Sequence, residues 1–128
     1  MKIEDIDLSC TYTYSDYLTW TWDERVELIH GKIYKMPPIS NTMHQIVAGN
    51  FLGIVWNLLL GKKYQVFIEP FDVRLPRTPK MNSDKEITTV VQPDVCVVCD
   101  PSKIDLRGCL GAPDWIVEIL SRLLQQKT

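Results

Sequence analysis

ITTVVQPDVCVVCD (residues 87–100) and APDWIVEILS (residues 112–121) are the stretches whose reading decides the fold. Both carry Val and Ile without a regular polar face, the pattern of strands covered on two sides. Each also holds a carboxylate that this pattern leaves unexplained. Asp94 follows Gln92-Pro93 at the start of one strand, and Glu118 sits within the other between Val117 and Ile119. An ionised carboxylate in such a setting costs several kcal/mol unless it is paired, hydrogen-bonded or bound to a cation. If the two strands are neighbours, Asp94 and Glu118 converge on one divalent metal, and hard oxygen ligands suit Mg²⁺ or Mn²⁺. The alternative is structural, with Glu118 paired to a buried Arg, Lys or backbone amide.

Working outward, the loop joining the two strands contains Gly108 and Gly111. Upstream, residues 76–86 (PRTPKMNSDKE) have mixed charge, two prolines and no period, which predicts an exposed loop. Before them, Tyr64 to Leu75 reads as a strand with Phe71, Val73 and Leu75 on one face and Asp72 and Arg74 on the other, and Pro70 marks a bulge or an edge. Ser40 opens a long helix on which Val47, Phe51, Ile54 and Leu58 fall at helical spacing, beside Ile46, Val55 and Leu59, and Gly61 closes it. Gly49 and Gly53, four apart on this helix, predict a close helix-on-sheet contact. Residues 25–36 read as a β-hairpin turning at His30-Gly31, and Thr13 with Asp16 caps a short helix before it.

The whole chain has 128 residues, enough for one domain with one core. Hydrophobic residues make up 45% and charged residues 23%, with a mean hydropathy of −0.07, so disorder and fibrous classes are excluded. The longest apolar run, FLGIVWNLLL at 51–60, is half of a bilayer span, and no basic segment followed by an apolar one stands at the start. The expectation is a cytoplasmic protein without a membrane segment. Fourteen Lys and Arg against sixteen Asp and Glu give a net charge of −2, so any contact with nucleic acid must be local.

Cys96 and Cys99 look like half a zinc site, but Cys10 and Cys109 lack the spacing of a second half, and residues three apart on a strand face opposite ways. Reduced thiols, structural where buried, are the expectation. The sequence has no glycine-rich phosphate loop, no G-x-S-x-G and no H-E-x-x-H. Further candidates are Glu27 on the hairpin, Glu69 before Pro70, and His44 in the first turn of the long helix, which could act as a general base or contact a phosphate. Each has an ordinary alternative, a solvated face for the glutamates and capping or packing for the histidine.

The succession YTYSDYL, VELIHGKIYKM, HQIVAGNFL, VVQPDVCVVCD and GAPDWIVEILS, spanning about Tyr12 to Ser121, resembles the bacterial Uma-type restriction-endonuclease-like proteins, a branch of the PD-(D/E)XK nuclease superfamily. The resemblance implies an α/β fold, a mixed sheet flanked by helices with the hairpin at its N-terminal side. It implies that Asp94 and Glu118 hold Mg²⁺ or Mn²⁺ against a DNA phosphate, with Glu27 of the ELI-x-G motif as a third acidic residue. The superfamily motif would put a lysine two residues after the second acid, where this chain has Leu120. The family's last helix and strand should follow Ser121, yet the sequence runs only to SRLLQQKT, with Lys127 too near to match the helical lysine that substitutes in this branch. The expectation is therefore a shortened member that pairs with a second copy through its open sheet edge. It is either a metal-dependent DNA endonuclease or a catalytically inactive dimeric interaction module.

Overall fold

The computed structural model describes residues 2–37 and 41–120. Among the described residues, nine short strands form two sheets, accompanied by two α-helices. The hairpin is β1 (Val26–Ile29) and β2 (Lys32–Lys35), and His30 and Gly31 both take positive φ, 51° and 81°, as a two-residue turn of that twist requires. A Cβ at Gly31 would also overlap the Thr11 side chain. Ahead of the hairpin, Thr13 and Asp16 form a capping box on the one-turn helix α1 (Tyr14–Tyr17). The long helix is α2 (Thr42–Leu59), capped by Asn41, whose side chain accepts the His44 N–H at 2.9 Å. Ser40, expected to open it, lies outside the described residues.

Each of the two long strands read from the sequence is cut in two at a proline. Residues 64–75 divide into β3 (Gln65–Ile68) and β4 (Asp72–Arg74), and residues 87–100 into β5 (Val90–Val91) and β6 (Val95–Val98). Proline has no N–H for a ladder, so pairing stops at Pro70 and Pro93 and the chain changes sheets at both. The expected loop before the last strand carries a small hairpin, β7 (Ile104–Asp105) and β8 (Gly108–Leu110). Its turn is held by Asp105, which accepts the N–H groups of Arg107 and Gly108 at 2.9 and 3.1 Å. The last strand is β9 (Trp115–Val117). The larger sheet has the order β2-β1-β5-β4-β8-β7, with β4 and β8 parallel and the other pairs antiparallel, and the smaller is β3-β6-β9.

Tyr14, Leu28, Ile87 and Val90 form one buried cluster, and Val73, Cys96, Val98 and Cys109 a second that joins the two sheets. Fully burying a Leu or Val side chain contributes about 1.5–3 kcal/mol. All four cysteines are free, and burial, with Cys109 adding to it, pushes the Cys96 thiol up to about 12, which keeps it unreactive. Arg74, expected on a polar face, is buried with its guanidinium 5.4 Å from the Tyr14 ring centroid and 2.7 Å from Asp105.

Two packing expectations do not hold. Every residue of β6 is buried, but β9 stands at the edge of its sheet among the described residues, with Trp115 50% and Ile116 40% exposed, so only one of the two apolar strands is covered on both sides there. On α2, Val47, Ile54 and Leu58 are exposed and only Val55 is buried. The helix instead packs chiefly against β3, and a cavity of about 440 Å³ lined by Phe51, Ile54, Val55, Leu58, Val97 and Trp115 opens between it and the β6–β9 side, crossed by Phe51 at 5.5 Å from the Trp115 ring. Among the described residues, nothing lies within 4 Å of a Cβ built at Gly49 or Gly53, so the close contact predicted for them is absent. No helix of the described residues is long and apolar enough to cross a membrane.

Candidate active site

The two proline breaks build the site, because they bring Glu69, Gln92 and Asp94 to the seam between the sheets. The Glu69 N–H donates to the Asp94 carbonyl at 3.3 Å, which ties the two crossings together. On the other side of β6, Val95 stands opposite Val117 in the antiparallel register, and one further step puts Asp94 opposite Glu118. Glu118, expected within its strand, stands just past the end of β9.

The Asp94 side chain is gripped from two directions. Its Oδ2 accepts the Ile119 N–H at 2.6 Å, and its Oδ1 lies 3.3 Å from His44 Nε2, with the two side chains only 11% and 10% exposed. His44 reaches it from the first turn of α2, and its Nδ1 is buried without a hydrogen-bond partner among the described residues. Glu118 is an exposed residue overall, yet its carboxyl is partly withdrawn from water. That desolvation, then the charges of Asp94 and Glu27 and a hydrogen bond with Asp94, push it up to about 7 from an ordinary 4.5, and Glu69 adds to the effect. Partial burial and the neighbouring acidic charges thus disfavour the ionised form of Glu118.

Glu27 lies on β1, and its Oε2 accepts the Gln92 N–H at 2.8 Å, two residues before Asp94. The five residues singled out in the sequence, Asp94, Glu118, Glu27, Glu69 and His44, are therefore gathered about one seam. Among the described residues, no group of three or more His, Cys, Asp and Glu side chains stands ready to hold a metal ion. What is present is a pair of hard oxygen donors. Each Asp94 oxygen keeps acceptor capacity beyond its present partner. These donors fit a divalent ion that retains several waters.

Behind the pair lies a network that the motif reading passed over. The Gln92 amide donates to Asp72 at 2.8 Å and to the Tyr17 hydroxyl at 3.0 Å, while its oxygen accepts from Arg25 at 3.1 and 3.3 Å. Arg25 also pairs with Glu69 at 3.0 Å, and the Tyr14 and Tyr17 hydroxyls both donate to Asp72 at 3.1 Å. Burial first, and then the Asp72 charge, holds both phenols protonated far above the ordinary tyrosine range. A signal existed, since Tyr14 and Tyr17 are three apart on a capped turn and so share a face. Their partners Asp72, Gln92 and Arg25 are distant in sequence, and no local pattern announces them.

Residues 14–128 match the family described as Uma2, putative restriction endonuclease. The chain belongs to the Uma2 family. Among solved structures, one that resembles this Uma2 chain is the crystal structure of a putative nuclease belonging to DUF820 from Anabaena variabilis, with a TM-score of 0.60 and 20% sequence identity. That match covers 90% of this chain and 64% of the other, so the chain spans somewhat less than two thirds of its structural neighbour's length. The likeness extends to the fold, a mixed sheet with helices. No curated protein matches the Uma2 chain described here.

Proposed function

We propose that this Uma2 protein is a divalent-metal-dependent endonuclease acting on DNA, with Asp94 and Glu118 as metal ligands. The observation that carries the reading is the position of the two carboxyls across the β6–β9 register, where partial burial first, and then the Asp94 and Glu27 charges, push Glu118 up to about 7. Among the described residues, the leading charges acting on Glu118 are the acidic ones of Asp94, Glu27 and Glu69. Mg²⁺ or Mn²⁺ bound there supplies Lewis-acid polarisation of a phosphoryl oxygen and lowers the pKa of a coordinated water. His44 is a positioning residue that fixes the Asp94 carboxylate from α2. Glu27 holds the Gln92-Pro93-Asp94 segment through the Gln92 amide.

The test is nicking of supercoiled plasmid by the purified chain with Mg²⁺ or Mn²⁺, beside Asp94→Ala, Glu118→Ala and an EDTA control. Cleavage should fall by about 100-fold or more in each variant, because several kcal/mol of metal-derived stabilisation is lost. Cleavage that survives in both variants would contradict the assignment.

A second reading is favoured by the surface of α2 and β9. Position 120, where the superfamily motif has lysine, is an exposed leucine, and Ile54, Trp56, Leu58, Trp115 and Ile116 are also exposed. In this reading the fold serves as a catalytically inactive interaction module. Either way the surface fits a second copy of the chain, since an edge strand and its own copy are self-complementary about a two-fold axis. Light scattering should give a dimer that Ile116→Lys converts to a monomer, and a monomeric wild type would refute the pairing.

A further inference from the structure

The loop between α1 and β1, residues 18–25 (LTWTWDER), builds a cleft of about 230 Å³ lined by Tyr17, Trp20, Trp22, Asp23, Arg25 and Gln92, among others. Its wall is an aromatic ladder that starts in the core. Tyr12 meets Trp20 edge-on at 5.6 Å, and Trp20 stacks on Trp22 at 4.8 Å with 24° between the rings. Tyr12, Tyr17 and Trp20 pack against the Tyr14–Leu28 core, whereas Trp22 stands beyond it, fixed by Trp20 and facing the cleft.

Charge restricts what can enter. Asp23 and Glu24 line the cleft, and Arg25, its cation, is already paired with Glu69. A phosphate is repelled there, and a flat neutral ring is not. The volume is below the roughly 300–1,000 Å³ of pockets for drug-sized ligands, which suits one ring system rather than an extended molecule. Gln92, on the cleft wall, is two residues from Asp94, a separation of about 7 Å along extended chain. That is the span of one to two nucleotides, since the rise of about 3.4 Å in stacked duplex DNA is a lower bound for an unpaired strand.

We propose that this cleft receives a single unpaired base of the DNA strand whose phosphate lies at Asp94 and Glu118, with the base stacked on Trp22. The proposal rests on the nuclease reading and adds a base-docking subsite to it. Base–aromatic stacking tolerates any base identity, so the subsite favours unpaired over paired DNA without reading sequence.

The experiment measures binding of a fluorescent single-stranded 12-mer to the full chain in Ca²⁺, against the same strand carrying abasic positions. Wild type and Trp22→Phe should bind the intact strand about tenfold more tightly than the abasic one, and Trp22→Leu, which keeps apolar cover but loses the ring, should bind both equally. Equal binding of the two strands by wild type, or no binding at all, would overturn the proposal. That wild-type comparison decides the matter even if Trp22→Leu fails to fold. Plasmid nicking in Mg²⁺, measured alongside, separates the two ideas. Base-dependent binding without nicking removes the nuclease reading and leaves the cleft, whereas nicking with no preference for intact strands removes the cleft and leaves the nuclease.

Discussion

The N-terminal half of the larger sheet and the α2–β9 side of the smaller one solve the same packing problem to different extents. Around β1 and β5, Tyr14, Leu28, Ile87 and Val90 are wholly buried, and the polar groups beside them close a network through Gln92 and Asp72. Around α2 and β9, Ile54, Leu58, Trp56 and Trp115 are half or more exposed. The seam between these regions carries the acid pair. A buried, extensively hydrogen-bonded scaffold holds Asp94 from one side, and a sparsely packed helix supplies His44 from the other.

The largest expected effect is in the core. Leu28→Ala should cost about 2–5 kcal/mol in urea unfolding, whereas Leu58→Ala, at a concentration where the chain is monomeric, should change stability by less than about 0.5 kcal/mol. Similar costs at the two sites would erase the contrast. Next in size is Gln92→Ala, which strips partners from Asp72, Tyr17 and Arg25. A loss of about 1–3 kcal/mol is expected by the same measurement.

Glycine sharpens the comparison at smaller amplitude. Gly53→Ala should stabilise the protein by about 0.5–1 kcal/mol, because the added methyl meets open space and improves helix propensity. Gly31→Ala should destabilise it, since positive φ and Thr11 both oppose a Cβ. A thermal melt of each variant gives the sign. The smallest effect is in pH dependence without metal. Because Glu118 is raised to about 7, the folded state keeps a proton that the unfolded state releases above an ordinary 4.5. Its contribution to stability is fully present below about 4.5 and declines as pH rises through 7. Solvent screening at this exposed residue keeps the slope shallow, and Glu118→Gln should flatten it.

Much of this was legible in the sequence, for local reasons. His30-Gly31 can only be a tight turn between strands, Thr13 and Asp16 can bond each other's amides, and Asp94 and Glu118 stand out because their neighbours are apolar. The sheet crossings at Pro70 and Pro93 were not legible as such. A proline signals that pairing stops, but not that the chain resumes in another sheet. The helical period of α2 was read correctly and its burial was not, since spacing fixes which residues share a face and only the partner fixes whether that face is covered. The hydrogen bonds of Gln92 depend on residues 20 to 75 positions away, and nothing near Gln92 encodes them.

Titration of Mn²⁺ into the purified chain at pH 7, followed by calorimetry in two buffers of different ionisation enthalpy, tests the acid pair most directly. The account predicts one ion bound per chain with release of a proton from Glu118, and loss of that binding in Asp94→Asn and Glu118→Gln. Binding of equal strength in both variants, or none in the folded wild type, would contradict it.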